Sequence, residues 1–391
     1  MTTGESSTPV PGPESGTGAP PGRPTGPLGV GPAWVPASSG SWQEVLEPLV
    51  SGSELAAEAA GWALAEVLAG RATPAQLGAL VMGLAVRGVT RSQLTALADS
   101  MLRAATPITV PGRTLDIVGT GGDGAGTVNV STMASIVAAA AGAKVVKHGS
   151  RAASSKAGSA DVLEAAGAVL DLPAARIAAI AEEVGFTFCL AAAFHPAMRH
   201  VAGPRRELGI RTVFNFLGPL ANPARPSATM LGCADPALAP VMAAVLAGRR
   251  VDGLVVHGED GLDELTTTGP SRLWLVVAGA VGESSFDPRT LGIERSAPEQ
   301  LRGGTGAENA AVLHRVLAGE TGPVRDIVLL NAAAGLAVHA HGIGAPADPD
   351  HVDLDAVLAD GLARAAVAID SGAAAALFDR WVTATRADPA A

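Results

Sequence analysis

Two glycine- and hydroxyl-rich turns constrain this chain more than any other feature. The first, Gly119–Thr132, reads Gly-Thr-Gly-Gly-Asp-Gly-Ala-Gly-Thr-Val-Asn-Val-Ser-Thr. The second, Lys147–Asp161, reads Lys-His-Gly-Ser-Arg-Ala-Ala-Ser-Ser-Lys-Ala-Gly-Ser-Ala-Asp. Each follows an apolar run that reads as a strand, Leu115–Val118 and Ala143–Val146, and each leads into a small-residue helix. Strand, turn and helix repeated in tandem is the signature of an α/β sheet. Backbone N–H groups at such turns, with helix N-termini behind them, suit a ligand carrying several phosphates.

Simpler readings of the turns are weighed first. Gly119, Gly121 and Gly124 have the dinucleotide-binding spacing, but that pattern wants an acidic residue about 20 positions on. Here that neighbourhood, Lys144 to His148, is basic. No Gly-Lys-Ser/Thr follows, so a P-loop is excluded. Asp123 inside the turn would repel a bare pyrophosphate. It makes sense if the ligand brings magnesium, or if it holds a sugar hydroxyl or a backbone amide. Ser131 alone reads as a helix N-cap; with Thr127, Asn129 and Thr132 it crowds one helix start with more polar groups than capping needs. Lys147 and Arg151 read as surface charges or as phosphate ligands. Ser154, Ser155 and Ser159 read as a serine-rich loop or as further hydroxyl ligands ahead of a helix at Ala160–Ala166.

Two further clusters stand out. The arginine-rich stretch from His195–His200 through Arg205–Pro223 could hold a carboxylate bidentately, or form a surface or dimer-facing basic helix. After an apolar strand Val251–His257 comes Gly261-Leu262-Asp263-Glu264. Adjacent carboxylates at a strand end are what magnesium on a diphosphate requires.

Composition narrows the field. The net charge is −10 and aromatic residues are only 3% of the chain, which counts against nucleic-acid binding through a basic face with stacking platforms. Cys189 and Cys233 lie far apart with no ligand spacing, so buried thiols are expected rather than a zinc site. Residues 1–40 hold nine of the 28 prolines and lack a secretory apolar stretch, so a disordered tail is expected. No run of 18 apolar residues occurs, and a soluble cytoplasmic protein is expected.

Along the chain, residues 41–108 read as a small helical bundle. Thr73-Pro74 and Thr90–Gln93 are helix-start signals. Residues 109–391 read as a larger α/β domain with a mostly parallel central sheet flanked by helices. Its expected strands include Val169–Leu170, Phe186–Leu190, Leu273–Val277 and Ile327–Leu330. Residues 193–215 read as helical again and are expected to rejoin the bundle.

Together these residues resemble the anthranilate phosphoribosyltransferase family. The resemblance rests on Gly119–Asp123, Asn129–Thr132, Lys147–Asp161, His195–Met198, Arg205–Pro223 and Gly261–Glu264, in unbroken order. It implies a homodimer, with substrates held between the helical and α/β domains. It implies phosphoribosyl pyrophosphate at Gly119, Gly122, Asp123, Thr127, Asn129, Val130, Ser131, Thr132, Lys147, Arg151, Ser154, Ser155 and Ser159. Mg2+ falls to Ser131, Asp263 and Glu264, and anthranilate to Gly119, His148, Ser150 and Arg205. For such a transfer, charge building on the departing diphosphate could be stabilised electrostatically by Lys147, Asp263 and Glu264, and no residue need be a nucleophile. One position departs: the family's asparagine in Lys-His-Gly-Asn is Ser150 here, a shorter side chain with one donor instead of two. Other readings are a paralogue with another aminobenzoate acceptor, a nucleoside phosphorylase and a non-catalytic nucleic-acid-binding relative.

Overall fold

Local capping decides where the first helices begin. Ser41, Thr73 and Thr90 each accept a bond from the backbone N–H three residues on, and Glu44, Gln76 and Gln93 answer it. These reciprocal pairs start α1 (Trp42–Ser51), α3 (Pro74–Arg87) and α4 (Arg91–Ala104), with α2 (Ala57–Leu68) between the first two. Their apolar stripes, including Val45, Leu64, Val67, Leu80, Leu84, Leu94 and Leu97, close on one another. This computed structural model describes Met1 and residues 40–152, 155–341 and 348–387. Ser154 and all but the ends of the expected tail lie outside the described residues.

The larger part alternates strands and helices. In chain order come β1 (Leu115–Gly119), α5 (Val130–Ala140), β2 (Val145–Gly149), α6 (Ser159–Ala165), α7 (Ala174–Val184) and β3 (Phe186–Leu190). Then follow the short α8 (Ala191–Phe194), α9 (Arg199–Leu208), α10 (Phe214–Leu217), β4 (Ala228–Gly232), α11 (Ala239–Gly248), β5 (Asp252–Gly258), β6 (Ser271–Val277) and β7 (Ala280–Phe286). Four helices close the chain: α12 (Gly306–Leu317), α13 (Pro323–His341), α14 (Leu354–Asp370) and α15 (Ala373–Arg386).

The seven strands stand in the order β3-β2-β1-β4-β5-β6-β7. The first five are parallel; β6 and β7 are antiparallel additions. Period-two alternation assigns the two faces. Ile117, Met230, Leu254, Val256 and Leu273 point to the face covered by α5 and α13, whereas Val118, Leu231, Val255 and Trp274 point to the core shared with α11 and the helical bundle. From β1 the chain winds outward through β2 to β3, then returns to place β4 on β1's other side. A crevice at the C-terminal ends of β1 and β4 follows from that reversal, and ligands of open α/β sheets bind in such crevices. There Gly119 is paired in register with Gly232.

Some expectations need correction. Ile327–Leu330 is not a strand but lies inside α13, and Val169–Leu170 forms no strand. A four-residue apolar run cannot by itself be told from one buried turn of helix. Two strands, β4 and β7, were not foreseen. Helix α9 packs on α2 and α3. No single described helix is long and apolar enough to cross a membrane.

Candidate functional site

The crevice takes its shape from two missing side chains. A Cβ on Gly119 would run into the carboxylate of Asp263, lying 2.9 Å from its Cγ. A Cβ on Gly232 would overlap the Asp263 carbonyl. The loop after β5 therefore lies directly across the ends of the two central strands, which only glycine at both positions allows. The Gly121 N–H, in the first turn, donates to Asp263 Oδ2 at 2.6 Å. Asp263 and Glu264 are both buried, at 8% exposure.

Burial of a carboxylate away from water favours its neutral form. It pushes Asp263 up to about 7, helped by the negative field of Asp123 and a hydrogen bond shared with that residue, while the Gly121 N–H pulls the other way. Glu264 is raised well above the usual carboxylate range, first by burial and then by Asp263; Lys147 and the Ser131 N–H at the start of α5 oppose this. Three carboxyls therefore crowd one pocket with a single buried ammonium beside them.

That ammonium belongs to Lys147, on β2. It is 1% exposed and donates to the Ile117 carbonyl at 2.6 Å and to Ser131 Oγ at 3.2 Å. Two of its three protons are thus committed, and the third has no partner among the described residues. Burial lowers its pKa, while Asp116, Glu264 and Asp263 raise it. Asp116 is fully buried beneath the site. It accepts from the His148 N–H at 3.3 Å and from Asn222 Nδ2 at 2.8 Å. Burial raises it to about 6, against the pull of Lys147 and Asn222.

His148 follows Lys147, and its side chain emerges on the opposite face of the strand. Its Nδ1 sits 3.2 Å from the Gly218 carbonyl, which can only accept, so Nδ1 carries the proton and Nε2 is a bare acceptor. Nε2 is buried without a partner among the described residues. The His195 ring lies 5.2 Å away, its own Nε2 donating to the Ala221 carbonyl. Burial, with His195 beside it, drives His148 down to about 3, so it stays neutral. Arg205 stacks over Phe214, and burial lowers its pKa.

The remaining expected residues divide into two groups. Asn129, not Ser131, is the N-cap of α5. Its side chain is committed to structure, donating to the Ala157 carbonyl and accepting from Asn309. Thr127 forms an isolated bridge with Arg302. Val130 and Thr132 are buried in the first turn of α5, and Thr132 Oγ1 has no partner among the described residues. Gly122 and Asp123 line the first turn, where Asp123 also accepts from the Ala125 N–H. In the second turn, Asp161 ties Ala152 and Gly158 together through their N–H groups. Ser159 opens α6, Ser155 donates weakly to Ala157 O, and Ser150 is exposed. Arg151 is half-exposed and forks onto Glu164.

Sequence reasoning missed Gly232, Asp116, Asn222 and Arg211. An acid within the apolar run Leu-Asp-Ile-Val was a usable signal for Asp116. Arg211, whose guanidinium reaches within 3.2 Å of where a Gly122 Cβ would stand, belonged to an arginine cluster in which nothing singled it out.

No three His, Cys, Asp or Glu side chains among the described residues form a metal cage. Two adjacent carboxylates and a hydroxyl still fit Mg2+, a hard cation that keeps several waters and shares phosphate oxygens. The like-charged crowding of Asp123, Asp263 and Glu264 is what a divalent cation would relieve.

The chain matches the model of the glycosyl transferase family a/b domain over residues 111–375, and that of the same family's helical bundle domain over residues 43–105. It is 58% identical to the anthranilate phosphoribosyltransferase of a Nocardioides species, over 88% of this chain and 99% of that protein. It is 53% identical to that of Saccharopolyspora erythraea, over 88% and 95%. Among solved structures, the anthranilate phosphoribosyltransferase of Thermus thermophilus superposes with a TM-score of 0.80 at 43% identity, over 88% of this chain and all of that one. The Saccharomyces cerevisiae enzyme in complex with PRPP and Mg gives 0.78 at 27% identity, over 89% and 98%.

Proposed function

This chain belongs to the anthranilate phosphoribosyltransferase family, and from that premise we propose that it transfers the phosphoribosyl group of phosphoribosyl pyrophosphate (PRPP) to the amine of anthranilate. N-(5-phosphoribosyl)anthranilate and pyrophosphate are the products, in tryptophan biosynthesis. One observation carries the reading: a buried acidic pair lies across Gly119 and Gly232 at the switch point of the sheet, with the Lys147 ammonium beside it.

The bond from ribose C1 to the diphosphate oxygen breaks with its electron pair leaving on the diphosphate, through a state resembling an oxocarbenium ion. The amine nitrogen bonds to C1 and then loses a proton to water. An aromatic amine is already unprotonated at neutral pH, so no strong base is required. His148 is too weak a base to serve as one; its bare Nε2 accepts a hydrogen bond from the acceptor substrate. Lys147 directs its free proton at the departing phosphates, where a fixed charge in a dry site acts strongly. Ser131, Asp263 and Glu264 would hold Mg2+, which when bound neutralises charge on the leaving group. Gly119, Gly122, Asp123, Thr127, Asn129, Val130, Thr132, Arg151, Ser154, Ser155 and Ser159 complete the PRPP site in this reading. Gly119, Ser150 and Arg205 line the anthranilate path with His148.

The chain pairs with a second copy through its helical bundle. Val50 and Val86 are 88% and 77% exposed on α1 and α3, beside hollows of about 480 and 390 Å3 lined partly by Leu46, Leu49 and Met82. Large apolar side chains clustered in the open favour a protein partner. The free buried thiols Cys189 and Cys233 support a reducing, cytoplasmic setting. Neither nucleic acid nor membrane is a partner in this reading.

Purified protein incubated with PRPP, Mg2+ and a panel of aminobenzoates tests the proposal. Anthranilate-dependent pyrophosphate release is expected. Turnover of a nucleoside with free phosphate, and none with PRPP, would overturn it.

A further inference from the structure

The acidic pair sits on a segment that is not itself part of the strand ladder. After β5 the chain runs from Glu259 to Pro270 before β6 begins, and instead of turning outward it buries Leu262 through Thr267. Buried backbone N–H and C=O groups outside a ladder still need partners. Inside the loop, Asp260 accepts from the Leu262 N–H and from the hydroxyls of Thr266 and Thr268, and Ser271 Oγ accepts from the Thr266 N–H. Ser296 accepts from the Thr267 hydroxyl and donates its own N–H to the Thr267 carbonyl.

Leu265, directly after Glu264, is held differently. Its N–H donates to Asn331 Oδ1 at 2.9 Å, and its carbonyl accepts from Asn331 Nδ2 at 2.9 Å. The second Nδ2 proton goes to the Ile327 carbonyl at 2.8 Å. Asn331 is fully buried on α13, among Ile327, Val328, Leu330, Ala332 and Ala334. An amide in such surroundings is costly unless paired, and here both donors are committed. Its side chain reproduces the two-bond exchange of an antiparallel strand neighbour.

We propose that Asn331 is a positioning residue for the metal-binding acidic pair, acting through the backbone of Leu265. The inference rests on the function proposed above. Gly119 and Gly232 form the floor on which Asp263 lies, and the Asn331 amide is the wall that stops Glu264 from sliding along it. Without that wall, the loop keeps its internal ties but loses its anchor to the sheet's helical layer. The carboxylates then face the metal in a spread of positions, and partners of this kind typically govern metal affinity by 10–100-fold.

The test reads Mn2+ by the electron paramagnetic resonance signal of the free ion, titrated into full-length protein with PRPP present. Asn331→Ala is expected to weaken Mn2+ binding about tenfold or more. It should raise the Mg2+ needed for half-maximal activity in parallel and leave the KM for anthranilate within about twofold. Gln93→Leu is the matched control: another buried amide bonded to a backbone carbonyl, that of Leu55, but in the helical bundle. It should lower the melting temperature while leaving Mn2+ binding unchanged. If circular dichroism shows Asn331→Ala unfolded, Asn331→Ser, too short to span both Leu265 groups, is read in the same way. Unchanged Mn2+ affinity in a folded Asn331 variant overturns the proposal, as does equal weakening in Gln93→Leu. Wild-type protein that binds no Mn2+ with PRPP overturns the parent reading itself.

Discussion

Replacing His148 by asparagine should remove one distinct component of the protein's sensitivity to mild acid. The folded chain holds this imidazole neutral down to about pH 3, mainly by burial and then by the His195 ring beside it, whereas the unfolded chain takes up the proton near 6.5. Between those values the unfolded state binds more protons, so the contribution is fully present above 6.5 and shrinks as pH falls. Each pH unit is worth ~1.36 kcal/mol, so the whole interval amounts to about 5 kcal/mol. Asparagine can still donate to the Gly218 carbonyl, and it does not titrate. The cavity it leaves lowers stability by a constant, so shape and not height carries the comparison. Urea unfolding at fixed protein concentration, from pH 8 to pH 4.5, should give two curves that run parallel above pH 7. Below that they converge by about 3 kcal/mol as wild type loses its advantage. Asp116 at about 6 and Asp263 at about 7 bind protons more readily when folded and act in the opposite sense, but both proteins carry them. Curves that stay parallel down to pH 4.5 would refute the neutral, buried state of His148.

Other substitutions test the remaining parts. Gly119→Ala pushes a methyl group into the Asp263 carboxylate; kcat/KM should fall by about 10²–10³ with a near-native circular dichroism spectrum, and full activity would mean the acidic pair need not lie there. Lys147→Met should lower kcat by a similar ~10²–10³ with the protein still folded, measured by product fluorescence; wild-type turnover would remove Lys147 from the chemistry. Ser150→Asn should leave the KM for anthranilate unchanged or lower it, and a marked rise would point to a different acceptor. Val50→Asp with Val86→Asp should shift the protein from dimer to monomer in light scattering, and an unchanged mass would place the interface elsewhere.

What was legible in the sequence follows the range of the forces involved. The starts of α3 and α4 could be read because a capping box closes over three residues, and Thr73 with Gln76 or Thr90 with Gln93 carry all of its chemistry. Strands β1 and β2 could be read because a glycine turn follows each. Strand β4 could not: its five residues sit between Pro226-Ser227 and a turn, with little β-branched character. Ile327–Leu330 misled because a short apolar run has no period of its own, and only the continuation to His341 makes it helix.

The acidic pair shows where local reading stops. Asp263 and Glu264 follow a strand and a glycine turn as ordinary solvated acids do, and the two leucines that flank them are too short a signal to say that the acids are buried. What buries them is the strand order. Because β4 returns to β1's other side, Gly119 and Gly232 come into register, although more than a hundred residues separate them. That register makes a flat patch with no side chains, wide enough for a backbone carbonyl and a carboxylate to lie on it. Once there, the acids lose water and their protons bind more tightly, and a cation beside them favours the charged form. Both glycines therefore matter to the proposed site as much as the acids do: a methyl group at either one would meet Asp263 and lift the loop from the sheet, and neither carboxylate would then stand beside the first turn, where the proposed function puts the metal and the diphosphate.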